Sequence, residues 1–205
     1  MKFISLWLSL VCIVFFIFQF VFPNFTNAFI LNQQSFIQPY RFVISIFLHG
    51  NFEHLIFNLF ALIMFGLILE SLIGSKKFLF VFFVSGILTN LITVNFYNSS
   101  LGASGAIYGI LGTLTIIRPL MTIWVFSLPM PMFFAAIIWI ILSIIGIFNP
   151  IDNIGHIAHL SGILFGFIFG LVFRLKNNNK RNKIKIEKIN IPEEEIRLWE
   201  DYYFK

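Results

Sequence analysis

Gly102-Ala103-Ser104-Gly105-Ala106-Ile107-Tyr108-Gly109 sets a hydroxyl between glycines where a long apolar run begins. A serine so placed has the setting of a nucleophile. Gly102 and Gly105 leave the backbone around Ser104 uncovered, and the first turn of a following helix offers unpaired N–H groups to a developing oxyanion. Glycine and serine are also ordinary packing residues of membrane helices, so the rest of the chain has to decide.

Working outward, the flanks are apolar nearly throughout. The chain has 205 residues, 59% of them hydrophobic and 11% charged, with a mean hydropathy of +0.91. That is too apolar for a soluble domain and too long for a single anchor. Between residues 42 and 173 the only cations are Lys76, Lys77 and Arg118, and the only carboxylates are Glu53, Glu70 and Asp152. Backbone polar groups in lipid must be satisfied internally. Long apolar runs without alternation therefore predict an all-α, polytopic membrane protein and exclude a barrel. The net charge of +5 sits mostly in the C-terminal tail, pointing to topology and lipid headgroups rather than nucleic acid. Cys12 is the single cysteine and excludes an internal disulfide.

Six spans are expected, at residues 3–22, Phe52–Ile73, 78–96, 104–117, Met132–Phe148 and 154–173. The first is read as a retained span, because its apolar run exceeds the roughly 7 to 15 residues of a signal-peptide core. Residues 23–51 form a long mixed connection with aromatic anchors, expected at the membrane surface, and Pro119, Pro129 and Pro131 interrupt the chain before the fifth span. Asn24-Phe25-Thr26 and Asn98-Ser99-Ser100 are glycosylation sequons of a kind that often arises by chance. Residues 149–153 read as a turn.

The expected division is a membrane domain over residues 1–173 and a tail over 174–205. The tail opens with Lys176, Lys180, Arg181, Lys183, Lys185 and Lys188, and the positive-inside rule makes it cytoplasmic. Six spans then put both termini in the cytoplasm of a cell-membrane protein, with Arg41 the one outward cation among the loops. Pro192 followed by Glu193, Glu194 and Glu195 reads as the start of a short surface helix with Ile196 and Trp199 on one face.

Under this topology the outward ends of three spans collect the polar side chains: His49, Glu53, His54 and Asn58 at the second, Ser104 and Tyr108 at the fourth, His156 and His159 at the sixth. Ionisable groups at such depth usually face a bundle interior or a water-filled cavity. Gly105, Gly109 and Gly112 form one ladder and Gly162, Gly166 and Gly170 another. Pairing these small faces would bring Ser104 and His159 together, within reach of base activation.

These residues resemble the rhomboid intramembrane serine proteases. The matching motifs are the run from His49 to His54 and Asn58, then Gly102 to Gly105, then Ala158-His159-Leu160-Ser161-Gly162, over roughly residues 1–173. The resemblance implies a six-transmembrane-helix bundle without cofactor or metal that cleaves transmembrane protein substrates near the outer face of the bilayer. By the same resemblance Ser104 is the nucleophile and His159 the general base. His54, Asn58 and the Ser104 N–H form the oxyanion hole, supported by Gly102 and Gly105. Tyr108 packs on the His159 ring, Arg41 and Glu70 are structural, and the fifth span, with Phe133, Phe134 and Trp139, moves to admit substrate. Water enters beneath residues 149–153. His49 reads as a loop hydrogen-bonding residue and His156 as lining the cavity.

Three rival functions remain in view. A zinc site could use His156 and His159 with His49 or His54, but leaves the serine motif unexplained. A non-catalytic rhomboid-like binding factor usually lacks the serine or histidine. A transporter is disfavoured because the chain has no internal repeat. Substrate identity and oligomeric state are not encoded in any motif.

Overall fold

The computed structural model describes residues 2–125, 127–149, 155–188 and 193–203, with backbone alone for residues 176–188, 196 and 199–200. Residues 150–153, with Asp152 and most of the expected turn and water path, lie outside the described residues. So do Pro192 and the side chains of Ile196 and Trp199. The Cα packing divides the chain into Met1–Leu171 and Val172–Lys205.

In the first unit, α1 (Ile4–Val21), α2 (Phe25–Phe29), α3 (Arg41–Ile44), α4 (Phe52–Ile73), α5 (Ser75–Thr93) and α6 (Ser104–Ile117) precede a hairpin of β1 (Thr122–Val125) and β2 (Leu128–Pro131). Then come α7 (Met132–Phe148) and α8 (His156–Lys188), and the second unit ends with α9 (Glu193–Tyr203). Among the described residues four helices are long and apolar enough to cross a membrane: α1, α4, α5 and the His156–Leu175 part of α8. The two others in the expected places are shorter, α6 with 14 residues and α7 with 17. At about 1.5 Å per residue, α6 rises only about 21 Å, less than the roughly 30 Å of a hydrocarbon core. Ten of its 14 residues are buried, so protein rather than lipid surrounds most of it.

Local chemistry sets the helix ends. Asn51 caps α4, its Oδ1 accepting from the His54 N–H at 2.7 Å. Gly74, at φ 82°, lets α5 follow α4 after one residue. The Glu70 carboxylate, fully buried, accepts from the first N–H groups of α1, Ile4 at 3.1 Å and Ser5 at 3.2 Å, and from the Ser75 hydroxyl at 2.6 Å. One side chain thereby satisfies orphan donors at a helix start and places negative charge against its dipole.

Three segments carry structure that the sequence reading did not specify. Residues 23–51 are packed into the fold: Leu31, Ile46 and Leu48 are essentially unexposed. Asn90 on α5 donates to the Phe42 carbonyl at 2.8 Å, and Leu31 bridges to Ser100. Arg41, 5% exposed, donates to the carbonyls of Asn27 at 3.0 Å and Ile30 at 2.8 Å. The proline-rich connection is a hairpin. Met132 N–H donates to Met121 O, and β1 pairs Thr122 with Pro131 and Trp124 with Pro129. Both prolines thus occupy positions where no ladder donor is needed. Finally, the apolar part of α8, His156–Leu175, matches the expected sixth span, and the helix continues beyond it to Lys188 because no glycine or proline interrupts residues 171–188.

Candidate active site

Ser104 is the first residue of α6 and is half-buried. Its N–H and those of the next residues begin the helix and have no intrahelical carbonyl to reach. Gly102 turns the chain into this helix at φ 119°, a left-handed conformation that L side chains rarely adopt. A Cβ on Gly102 would stand 2.8 Å from Cε1 and 2.9 Å from Nε2 of His54. The imidazole therefore lies directly against the peptide leading to Ser104. The Gly50 N–H donates to His54 Nδ1 at 3.4 Å, so in the neutral ring the hydrogen sits on Nε2, on the Gly102 side.

The two glycine ladders meet. A Cβ on Gly162 would run into the Gly105 carbonyl and come within 3.0 Å of Tyr108 Cβ, and one on Gly166 would strike the Gly109 carbonyl and stand 2.9 Å from Gly112 Cα. The Thr113 hydroxyl lies 2.9 Å from Gly109 O and 3.1 Å from Gly166 O across the same seam. On its other side, α6 rests on α5, where a Cβ at Gly105 would be 2.5 Å from Thr89 Cγ2. Side-chain-free faces allow this backbone approach.

His159 lies one turn before Gly162, and its ring stacks on Tyr108 with centroids 4.0 Å apart and planes 10° from parallel. Ser104, next to Gly105, and His159 thus share one end of the α6–α8 crossing. The Tyr108 ring also meets Trp139 of α7 at 6.4 Å, and Trp139 meets Phe65 of α4 at 6.0 Å. His156 stands 6.0 Å from His159 at 80°, its ring filling the place where Gly146 of α7 has no side chain.

The other sequence-selected residues are less central. Asn58, 7% exposed, turns back along α4 and donates to the His54 carbonyl at 2.8 Å, using one of its two amide hydrogens there. His49 is 1% exposed, with Nδ1 3.2 Å from the Phe47 carbonyl. Burial pushes its imidazole down to about 4, His54 nearby adds to this, and the Phe47 contact opposes it. Among the described residues no three of His, Cys, Asp and Glu gather as a metal shell.

Two contributors escaped the sequence reading. Tyr97 accepts at its hydroxyl from the Ile157 N–H at 3.2 Å, in the first turn of α8. Gln19 of α1 grips the His49 backbone. The only signal for Gln19 was a lone amide within the phenylalanine-rich run of residues 15–22.

Comparison with known proteins gives the family of the chain. A family model described as the Rhomboid domain matches residues 37–176. RHOMBOID-like protein 6, mitochondrial, of Arabidopsis thaliana is 32% identical over 137 residues, 64% of this chain and 44% of that protein. Rhomboid protein 1, mitochondrial, of Saccharomyces cerevisiae is 29% identical over 159 residues, 71% of this chain and 45% of that protein. Rhomboid protease GluP of Bacillus subtilis is 34% identical over 134 residues, 62% of this chain and 25% of that protein. The chain spans less than half the length of these relatives. A helical membrane protein with this family's domain over most of its length, the chain belongs to the rhomboid family.

Proposed function

We propose that this protein is an intramembrane serine endopeptidase acting on transmembrane protein substrates near the outer face of the bilayer, through a dyad of Ser104 and His159. The observation that carries this reading is the Tyr108 stack, which holds the His159 ring at the end of α6 that begins with Ser104.

In the reaction, His159 takes the Ser104 proton as Oγ attacks the scissile carbonyl, and then gives it to the departing amine. The oxyanion is held by the Ser104 N–H, His54 Nε2–H and the second Asn58 amide hydrogen. Water then attacks the acyl-enzyme, with His159 again as base, and regenerates Ser104. The His54 position against Gly102 supports its role. Asn58 must turn its free N–H toward the site.

The reading includes six crossings with both termini in the cytoplasm of a cell-membrane protein. The short α6 crosses shielded by its neighbours, and α7 moves to admit the substrate helix, small residues flanking the scissile bond. The test is cleavage of a generic transmembrane peptide by detergent-purified protein with EDTA present. Wild type is expected to cut while Ser104→Ala and His159→Ala do not. Variants that cut as well as wild type would overturn the assignment.

A further inference from the structure

Gln19 lies near the end of α1, in an otherwise apolar stretch, with its amide fully engaged. Its Oε1 accepts from the His49 N–H at 2.9 Å. Its Nε2 donates to the His49 carbonyl at 3.1 Å and to the Thr26 hydroxyl at 3.0 Å. A flipped amide would set donor against donor and acceptor against acceptor at His49, so the orientation is unique.

The segment gripped in this way is the one that orients His54. The His49 ring meets the His54 ring edge-on at 5.2 Å. Gly50 supplies the N–H to His54 Nδ1, and Asn51 Oδ1 takes the His54 N–H. All three contacts come from consecutive residues, and the first of them is held from a different helix 30 positions away. Removing the amide leaves the His49 N–H and carbonyl to find other partners around a side chain that is 1% exposed. The segment can then shift, and His54 with it.

We propose that Gln19 is a positioning residue that fixes His54 Nε2–H against the Gly102 peptide, and so tunes the oxyanion hole from α1. This rests on the serine-protease reading of the site. Removing an oxyanion donor outright costs about 100- to 1,000-fold in kcat, and a displaced donor is expected to cost less, about tenfold.

A double-mutant cycle on the full chain in detergent tests this, with Gln19→Leu, His54→Ala and their combination, read by peptide cleavage and by the rate of fluorophosphonate labelling. Gln19→Leu is expected to lower kcat and the labelling rate about tenfold with KM within about twofold, and to change neither by more than about twofold once His54 is alanine. Should Gln19→Leu fail to fold, Gln19→Glu, which keeps the acceptor for the His49 N–H, is run through the same cycle with the same expected non-additivity. An equal loss in both backgrounds would make Gln19 a general staple of α1 and overturn the inference, as would no loss in either. A wild type without Ser104-dependent cleavage or labelling overturns the proposed function and this inference with it. That failure is seen before any Gln19 variant is compared.

Discussion

The imidazole of His159 lies flat on the phenol ring of Tyr108, 4.0 Å between centroids, and this contact joins α8 to α6 one turn from Ser104. Such stacking is worth about 0.5 to 1.5 kcal/mol beyond area burial. In the proposed mechanism its larger effect is to fix the plane of the ring that takes and returns a proton. Tyr108→Phe keeps the face and should retain cleavage within about twofold, whereas Tyr108→Ala should lower kcat about tenfold. Steady-state kinetics with the transmembrane peptide measures both; an unaffected alanine variant would remove the stack from the mechanism.

The glycine seam predicts a sharp positional contrast. At Gly162 an added methyl meets the Gly105 carbonyl, a backbone atom that cannot rotate away, so α6 and α8 must separate. Gly162→Ala should cost about 1 to 3 kcal/mol and abolish most activity. At Gly155 the nearest atom to an added Cβ is Ala158 Cβ at 3.5 Å, an ordinary contact. Gly155→Ala should stay within about 0.5 kcal/mol of wild type, as judged by thermal unfolding in detergent.

Glu70 predicts a stability effect without a catalytic one. Its oxygens accept from Ile4, Ser5 and Ser75, so Glu70→Gln turns an amide donor toward donors at the start of α1. The expected loss is about 1 to 3 kcal/mol in unfolding free energy. At temperatures where the variant is folded, KM and kcat should match wild type.

Acid should destabilise the fold through His49. Its folded-state value of about 4 lies below the ordinary 6.5, so the unfolded chain binds more protons between these limits. Stability is therefore fully present above about pH 6.5 and is lost as pH falls toward 4, by at most about 3 kcal/mol. Thermal melts across that range should show a shallower pH dependence for His49→Gln than for wild type. Parallel curves would exclude His49 as the source.

Hydropathy along the chain places the long apolar helices, because lipid leaves the backbone no partner but its own helix and demands uninterrupted apolar runs. Phe52–Ile73 and Met132–Phe148 coincide with the expected spans, the second lying between the prolines at 129 and 131 and the turn that opens at Asn149. The candidate site residues stood out too, as polar groups among phenylalanines and isoleucines are few. Apart from the α6–α8 seam, which the two glycine ladders announced, the tertiary structure decided which helices are neighbours. Lipid tails are as apolar as leucine, so hydropathy does not say what a helix faces. Hence the Glu70 carboxylate at the start of α1, 66 positions from Ile4, the Gln19 clamp on His49, and Asn58 turned back to its own helix could not be read in advance. The β1–β2 hairpin was hidden for another reason: its prolines argue against a strand until the pairing register places them where no donor is required.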